Sequence, residues 1–85
     1  MVATTQIEMV TPDFDLSGEH LVVTVWLVKR GDGVVRGEPL VEITANDVSI
    51  DVSAPASGTL CQRCVEEDSV VAVGDVLARI EVEEE

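Results

Sequence analysis

An internal repeat constrains this chain more than any other feature. The block "VKRGDGVVRGEPLVEI", Val28 to Ile43, superposes without gaps on "VEEDSVVAVGDVLARI", Val65 to Ile80, at an offset of 37 residues. Val28 stands against Val65, Val34 against Val71, Gly37 against Gly74, Leu40 against Leu77 and Ile43 against Ile80. The shared kernel is V-x-x-G-[DE]-x-L. A glycine before an acidic residue, between two short apolar segments, supplies the positive φ that a tight turn demands. The leucine three residues later opens the next strand. One kernel in each half predicts two similar β units related by a two-fold-like arrangement.

The rest of the chain fits that frame. Val48, Ile50 and Val52 alternate with Ser49, Asp51 and Ser53, the period-two mark of a half-buried strand. Similar reasoning places strands near Ile7–Val10, Leu21–Val28, Val34–Val35, Leu40–Thr44, Val48–Val52, Thr59–Val65, Val70–Ala72 and Val76–Val82. Turn chemistry separates them: "SGE", "RGDG", "RGEP", "AND", "APASG", "EEDS" and "VGD". Eight short strands with close turns and no helical periodicity predict an all-β sandwich or flattened barrel. Length allows one small domain. Residues 1–82 are expected to form it, with "EEE" at 83–85 as an acidic tail or the start of a linker. The apolar content, 46%, is almost entirely aliphatic, with Phe14 and Trp26 as the aromatics, which suits a compact layered β core.

Charge excludes several classes of function. Seventeen Asp and Glu face five Lys and Arg, so the clustered cations that phosphate contacts and anionic membranes require are missing. A basic protein partner is permitted, because opposite fields steer association. No secretory signal opens the sequence, and no apolar run reaches the roughly 18 residues of a membrane span. A cytoplasmic location is expected, where two cysteines would stay reduced.

"CQRC", Cys61 to Cys64, has the C-x-x-C spacing of redox and metal sites. Redox pairs of this kind open a helix, whereas here the motif falls in an expected strand, where residues three apart face opposite ways. Zinc needs about four ligands, and His20 does not complete the set. By the repeat, Cys64 matches Leu27 and is expected to be a small core hydrophobe; Cys61 and Cys64 stay weak metal or redox candidates. Arg63 matches Trp26, which marks Arg63 as an exposed or edge position and Trp26 as core or a staple between the two halves. A lone histidine with no partnered nucleophile gives no catalytic constellation, so an enzyme is not expected. Glu66, Glu67 and Asp68, with Glu83 to Glu85, suggest a solvated acidic face or a docking surface for a basic subunit.

The stretch "VVTVWLVKRGDGVVRGEPLVEI" is similar to the opening of lipoyl domains, including a tryptophan before "LVK.GD". "VSAPASGTL" resembles the segment after their carrier hairpin, and "VGDVLARIE" their closing strand. The chain thus resembles the biotinyl/lipoyl carrier domain, as in dihydrolipoyl acyltransferases, from Ile7 to about Val82. The resemblance implies a flattened barrel or sandwich of two quasi-symmetric four-stranded sheets. It also implies a hairpin whose tip carries Asp-Lys-Ala in lipoyl domains or Met-Lys-Met in biotinyl domains, the lysine acylated as a swinging arm.

Counting back from Ala54 and Pro55, that lysine position falls on Asp47, flanked by Asn46 and Val48. A carboxylate cannot form the amide that holds the cofactor. The one lysine of the chain, Lys29, matches a loop instead. The expectation is a lipoyl/biotinyl-like domain without lipoate or biotin, acting as a non-catalytic interaction or structural module of a 2-oxoacid dehydrogenase-type or related assembly. Its partners would be protein subunits of a lipoate- or biotin-dependent complex. Two alternatives stay open: a working lipoyl or biotin carrier with an altered attachment site, and a C-x-x-C redox or metal-binding protein. At the tip itself, Asn46 and Asp47 either simply close the turn, since both tolerate left-handed backbone, or form an acidic contact for a partner.

Overall fold

The structure, a computed structural model, describes residues 3–15 and 20–84. Eight strands follow one another: β1 (Ala3–Val10), β2 (Leu21–Trp26), β3 (Gly33–Val34), β4 (Pro39–Ala45), β5 (Val48–Ser53), β6 (Gly58–Arg63), β7 (Val70–Val71) and β8 (Val76–Glu84). They form two four-stranded antiparallel sheets, in the orders β1-β8-β6-β3 and β5-β4-β2-β7. The all-β sandwich of two four-stranded sheets expected from sequence is what forms. Between the sheets lie the inward members of each alternating run. Leu40, Ile43, Leu60, Leu77, Ile80, Val23 and Val41 are the largest fully buried side chains, each worth roughly 1.5–3 kcal/mol of transfer free energy on burial.

The 37-residue repeat is a structural symmetry. Gly37 and Gly74 both turn with positive φ, +89° and +90°, as the kernel requires. Backbone hydrogen bonds recur with the same offset. Leu27 N–H donates to Leu40 O and Cys64 N–H to Leu77 O, both at 2.8 Å. Gly31 N–H donates to Leu60 O, and Asp68 N–H to Val23 O, each at 2.7 Å. Glu38 N–H reaches Val35 O as Asp75 N–H reaches Ala72 O. Each half therefore lends its β-turn loop to the central strand of the other sheet, and this exchange closes the sandwich.

Four strand ends differ from the sequence expectation by two residues or more. β2 stops at Trp26 instead of Val28: Leu27 N–H still donates to Leu40 O of β4, and Lys29 then enters a turn with Asp32. β6 stops at Arg63 instead of Val65, with Cys64 N–H likewise still donating to Leu77 O of β8. β1 and β8 run further than their apolar residues suggest, Ala3 pairing with Glu84 and Thr4 with Glu83. Backbone pairing continues there after the core has ended, through the first two residues assigned to an acidic tail; Glu85 lies outside the described residues, as does the "SGE" turn before β2. Among the described residues no helix is long and apolar enough to cross a membrane.

Candidate functional site

The β4–β5 hairpin is a tight turn that the symmetry leaves without an equivalent. Ala45, buried, pairs with Val48, so Asn46 and Asp47 alone make the connection. Asn46 takes φ +54°, a left-handed conformation that Asn tolerates better than most residues. Both side chains of the tip are exposed. The ladder behind them, Ile43 to Ile50 and Val41 to Val52, anchors the turn in the core.

Beside the tip runs an open groove on the outer face of the second sheet, lined by His20, Val22, Thr24, Thr44, Asn46 and Asp68. The Thr24 and Thr44 hydroxyls hydrogen-bond to each other across β2 and β4. Asp68 arrives there on the β6–β7 loop, where it holds φ +73°. Glu67, one residue earlier, accepts the Trp26 backbone N–H through Oε2 at 3.0 Å, and the Trp26 indole Nε1–H donates to Val65 O at 3.0 Å. Trp26 thus staples that loop to β2 while its ring lies in the core. Arg63, its repeat equivalent, is exposed, with its guanidinium 5.7 Å from the centroid of the same ring.

Sequence reasoning found the tip but not the groove. The missed residues, Thr24, Thr44 and Asp68, carry a weak signal: Asp68 matches Gly31 in the repeat, and Gly31 also has positive φ. That match identifies a left-handed turn without saying what it faces.

The remaining candidates lie elsewhere. β2 starts beside the tip, with Leu21 opposite Ala45, and runs away from it. Lys29, beyond its far end, therefore stands at the opposite end of the molecule from Asp47. The expectation that Cys64 is a core hydrophobe is not met: Cys64 is half-buried, and its counterpart Leu27 is 51% exposed. Both residues sit just past a strand end, where the chain has already left the ladder.

The alternation argument for the two thiols also fails locally, because the β6–β8 register shifts between Leu60 and Gln62, at Cys61. Cys61 Sγ donates to Arg79 O at 3.2 Å, and Arg79 Nη1 donates to Cys64 Sγ at 3.7 Å. Both cysteines are free. Among the described residues, no group of three or more His, Cys, Asp or Glu is placed to hold a metal.

The described residues thus form two interlocked four-stranded sheets with an exposed two-residue β4–β5 turn. The chain's family is specific. The biotin/lipoyl family, described as "Biotin-requiring enzyme", matches residues 7–80, and the chain belongs to it.

Among curated proteins, the chain is 37% identical over 78 residues to the dihydrolipoyllysine-residue acetyltransferase component of the pyruvate dehydrogenase complex of Corynebacterium glutamicum. It is 39% identical over 71 residues to the same component from Mycobacterium bovis. These matches cover 92% and 84% of this chain but only 11% and 13% of the relatives' own lengths. Among solved structures, the lipoyl domain of the 2-oxoglutarate dehydrogenase complex from Azotobacter vinelandii superposes with a TM-score of 0.70 at 30% identity, covering 87% of this chain and 94% of that one.

Proposed function

We propose that this chain is a lipoyl-type domain that does not carry its cofactor covalently and serves a 2-oxoacid dehydrogenase-type assembly as a non-catalytic interaction or structural module. One observation carries the reading. The two residues of the hairpin turn are Asn46 and Asp47, and the sole lysine, Lys29, lies past the far end of β2. Attaching lipoate or biotin to a lysine condenses the cofactor's carboxyl group with an amine, expelling water and leaving an amide. Asp47 offers a second carboxylate and Asn46 a carboxamide that is not nucleophilic, so neither can take that acyl group.

What the tip keeps is a tight, solvated turn with one acidic side chain. Asp68 and the Thr24–Thr44 hydroxyl pair lie against its flank. Such a surface suits a protein partner that presents donors or a cation, and resemblance to the acetyltransferase components points to subunits of the same kind of complex. Glu66 and Glu67 on the neighbouring loop extend the acidic surface and would speed encounter with a basic subunit.

Intact mass after co-expression with lipoate and biotin ligases tests the reading, with an Asp47→Lys variant alongside. The expected result is an unmodified parent and an Asp47→Lys chain bearing one lipoyl or biotinyl increment. An increment on the parent chain would overturn it and restore a carrier with another attachment point. An unmodified Asp47→Lys chain that retains the parent's fold would show that Asp47 does not occupy the position a ligase reads.

A further inference from the structure

We propose that the free edge of β1, from Ala3 to Glu8, is a docking edge for an extended, basic segment of a partner protein, which adds to the first sheet as a further antiparallel or parallel strand. The inference concerns the end of the molecule opposite the tip and stands whether or not the tip carries a cofactor.

Four observations converge on that edge. Among the described residues β1 pairs with β8 alone, and it is the terminal strand of its sheet, so alternate N–H and C=O groups along its outer side have no strand partner. The edges formed by β3 and β7 are two residues long, whereas β1 has eight. From Ala3 to Ile7 β1 carries no proline, no lysine and no charge; its one charge, Glu8, stands at the position that Asp51 holds in β5, its symmetry equivalent.

The ribbon is also short of support. β6 pairs with β8 as far as Glu81, opposite Thr59. Beyond that point Val82, Glu83 and Glu84 have only Thr5, Thr4 and Ala3 as ladder partners. A two-stranded ribbon in water is marginal by itself, and a third strand is what stabilises it. Residues 3–6 are all exposed.

Charge and alternation then specify the occupant. The pairs Gln6 with Glu81 and Thr4 with Glu83 share one face of the ribbon with Glu8 and Arg79, whose ion pair is 3.2 Å long. That face is an acidic row with its single cation already engaged. The other face carries Thr5, Ile7 and Val82. An incoming strand with Lys or Arg at alternate positions, and small or apolar residues between them, meets both faces in register. A second copy of the chain would instead place acidic rows side by side on a domain of net charge −12.

The test is a titration of the 15N-labelled chain with a synthetic peptide of alternating lysine and threonine. A peptide of identical composition, with all lysines preceding all threonines, serves as the control. The alternating peptide is expected to shift amide resonances of residues 3–8 and to slow their hydrogen exchange at least tenfold. The control should bind at least tenfold more weakly. A Glu81→Lys, Glu83→Lys double variant, altered only at exposed sites, should lose about tenfold in affinity without losing its fold. Equal binding of the two peptides would reduce the effect to charge alone and overturn the proposal. So would shifts centred on Asn46 and Asp68, or concentration-dependent dimerisation through β1 in the absence of peptide.

Discussion

The hairpin tip and the terminal ribbon are the same piece of structure built twice. Ala45 opposite Val48 corresponds to Val82 opposite Thr5, Ile43–Ile50 to Ile80–Ile7, and Val41–Val52 to Ala78–Met9. Even the register shift recurs, near Pro39 in one ladder and near Val10 in the other. Yet β4 and β5 are joined by two exposed residues, while β8 and β1 run on together to Glu84 and Ala3. Backbone pairing recurs along both ladders and where loops bond across the sheets, and it differs where the chain faces solvent at either end. Packing fixes the shared part, since a close-packed interior tolerates little change in volume. The two ends are free to differ, and that is where the candidate contacts lie.

The largest break in the symmetry is Trp26 against Arg63. Trp26 fills the core and makes two 3.0 Å hydrogen bonds that hold the β6–β7 loop. Arg63 only lies over its ring from outside. Trp26→Ala should cost about 3–5 kcal/mol, comparable with the roughly 3–5 kcal/mol a scaffold of this size retains. The variant should be largely unfolded at 25 °C by far-UV circular dichroism. Arg63→Ala should cost about 0.5–1 kcal/mol, the range of an exposed cation–π contact. Similar losses for the two, measured by urea titration, would mean that Trp26 is not the staple.

Gly58 against Leu21 is a second break. Both open a central strand, but a Cβ on Gly58 would lie 2.2 Å from the Glu81 carbonyl oxygen. Leu21 at the matching place is simply buried. Gly58→Ala should therefore cost roughly 3 kcal/mol through forced backbone displacement. A loss below about 1 kcal/mol would show that the approach relaxes freely.

Much of this was legible in the sequence because the repeat constrains both halves at once. The kernels around Gly37 and Gly74 predict the turns, and the alternation from Val48 to Val52 predicts which side of β5 faces inward. What escaped depends on geometry that period-two reasoning does not carry. The register shift at Cys61 breaks the expected facing of the two thiols. The early ends of β2 and β6 take Leu27 and Cys64 out of the core. The extension of β1 rests on backbone bonds between Thr, Gln and Glu residues, which have no apolar periodicity to announce a strand. At the candidate site, Asn46 and Asp47 were readable from turn chemistry and from position relative to Ala54 and Pro55. Thr24, Thr44 and Asp68 converge only through folding, from β2, β4 and the β6–β7 loop, Asp68 lying 24 residues after Thr44 and 44 after Thr24.

The mildest test sharpens the symmetry instead of breaking it. Gly37 and Gly74 have φ within a degree of each other, and no heavy atom lies within 4 Å of where a Cβ would stand on either. Substitution by alanine then adds no collision, only the left-handed backbone penalty of about 1–2 kcal/mol for a residue with a Cβ. Gly37→Ala and Gly74→Ala should each lower stability by that amount, and the two should agree within about 0.5 kcal/mol in matched urea titrations, the spread expected for independent sites. A clear inequality would locate strain in one half alone, and the half with the larger loss would be the one whose turn is held by more than its own backbone: by Ala54 for Gly37, or by Thr11 for Gly74.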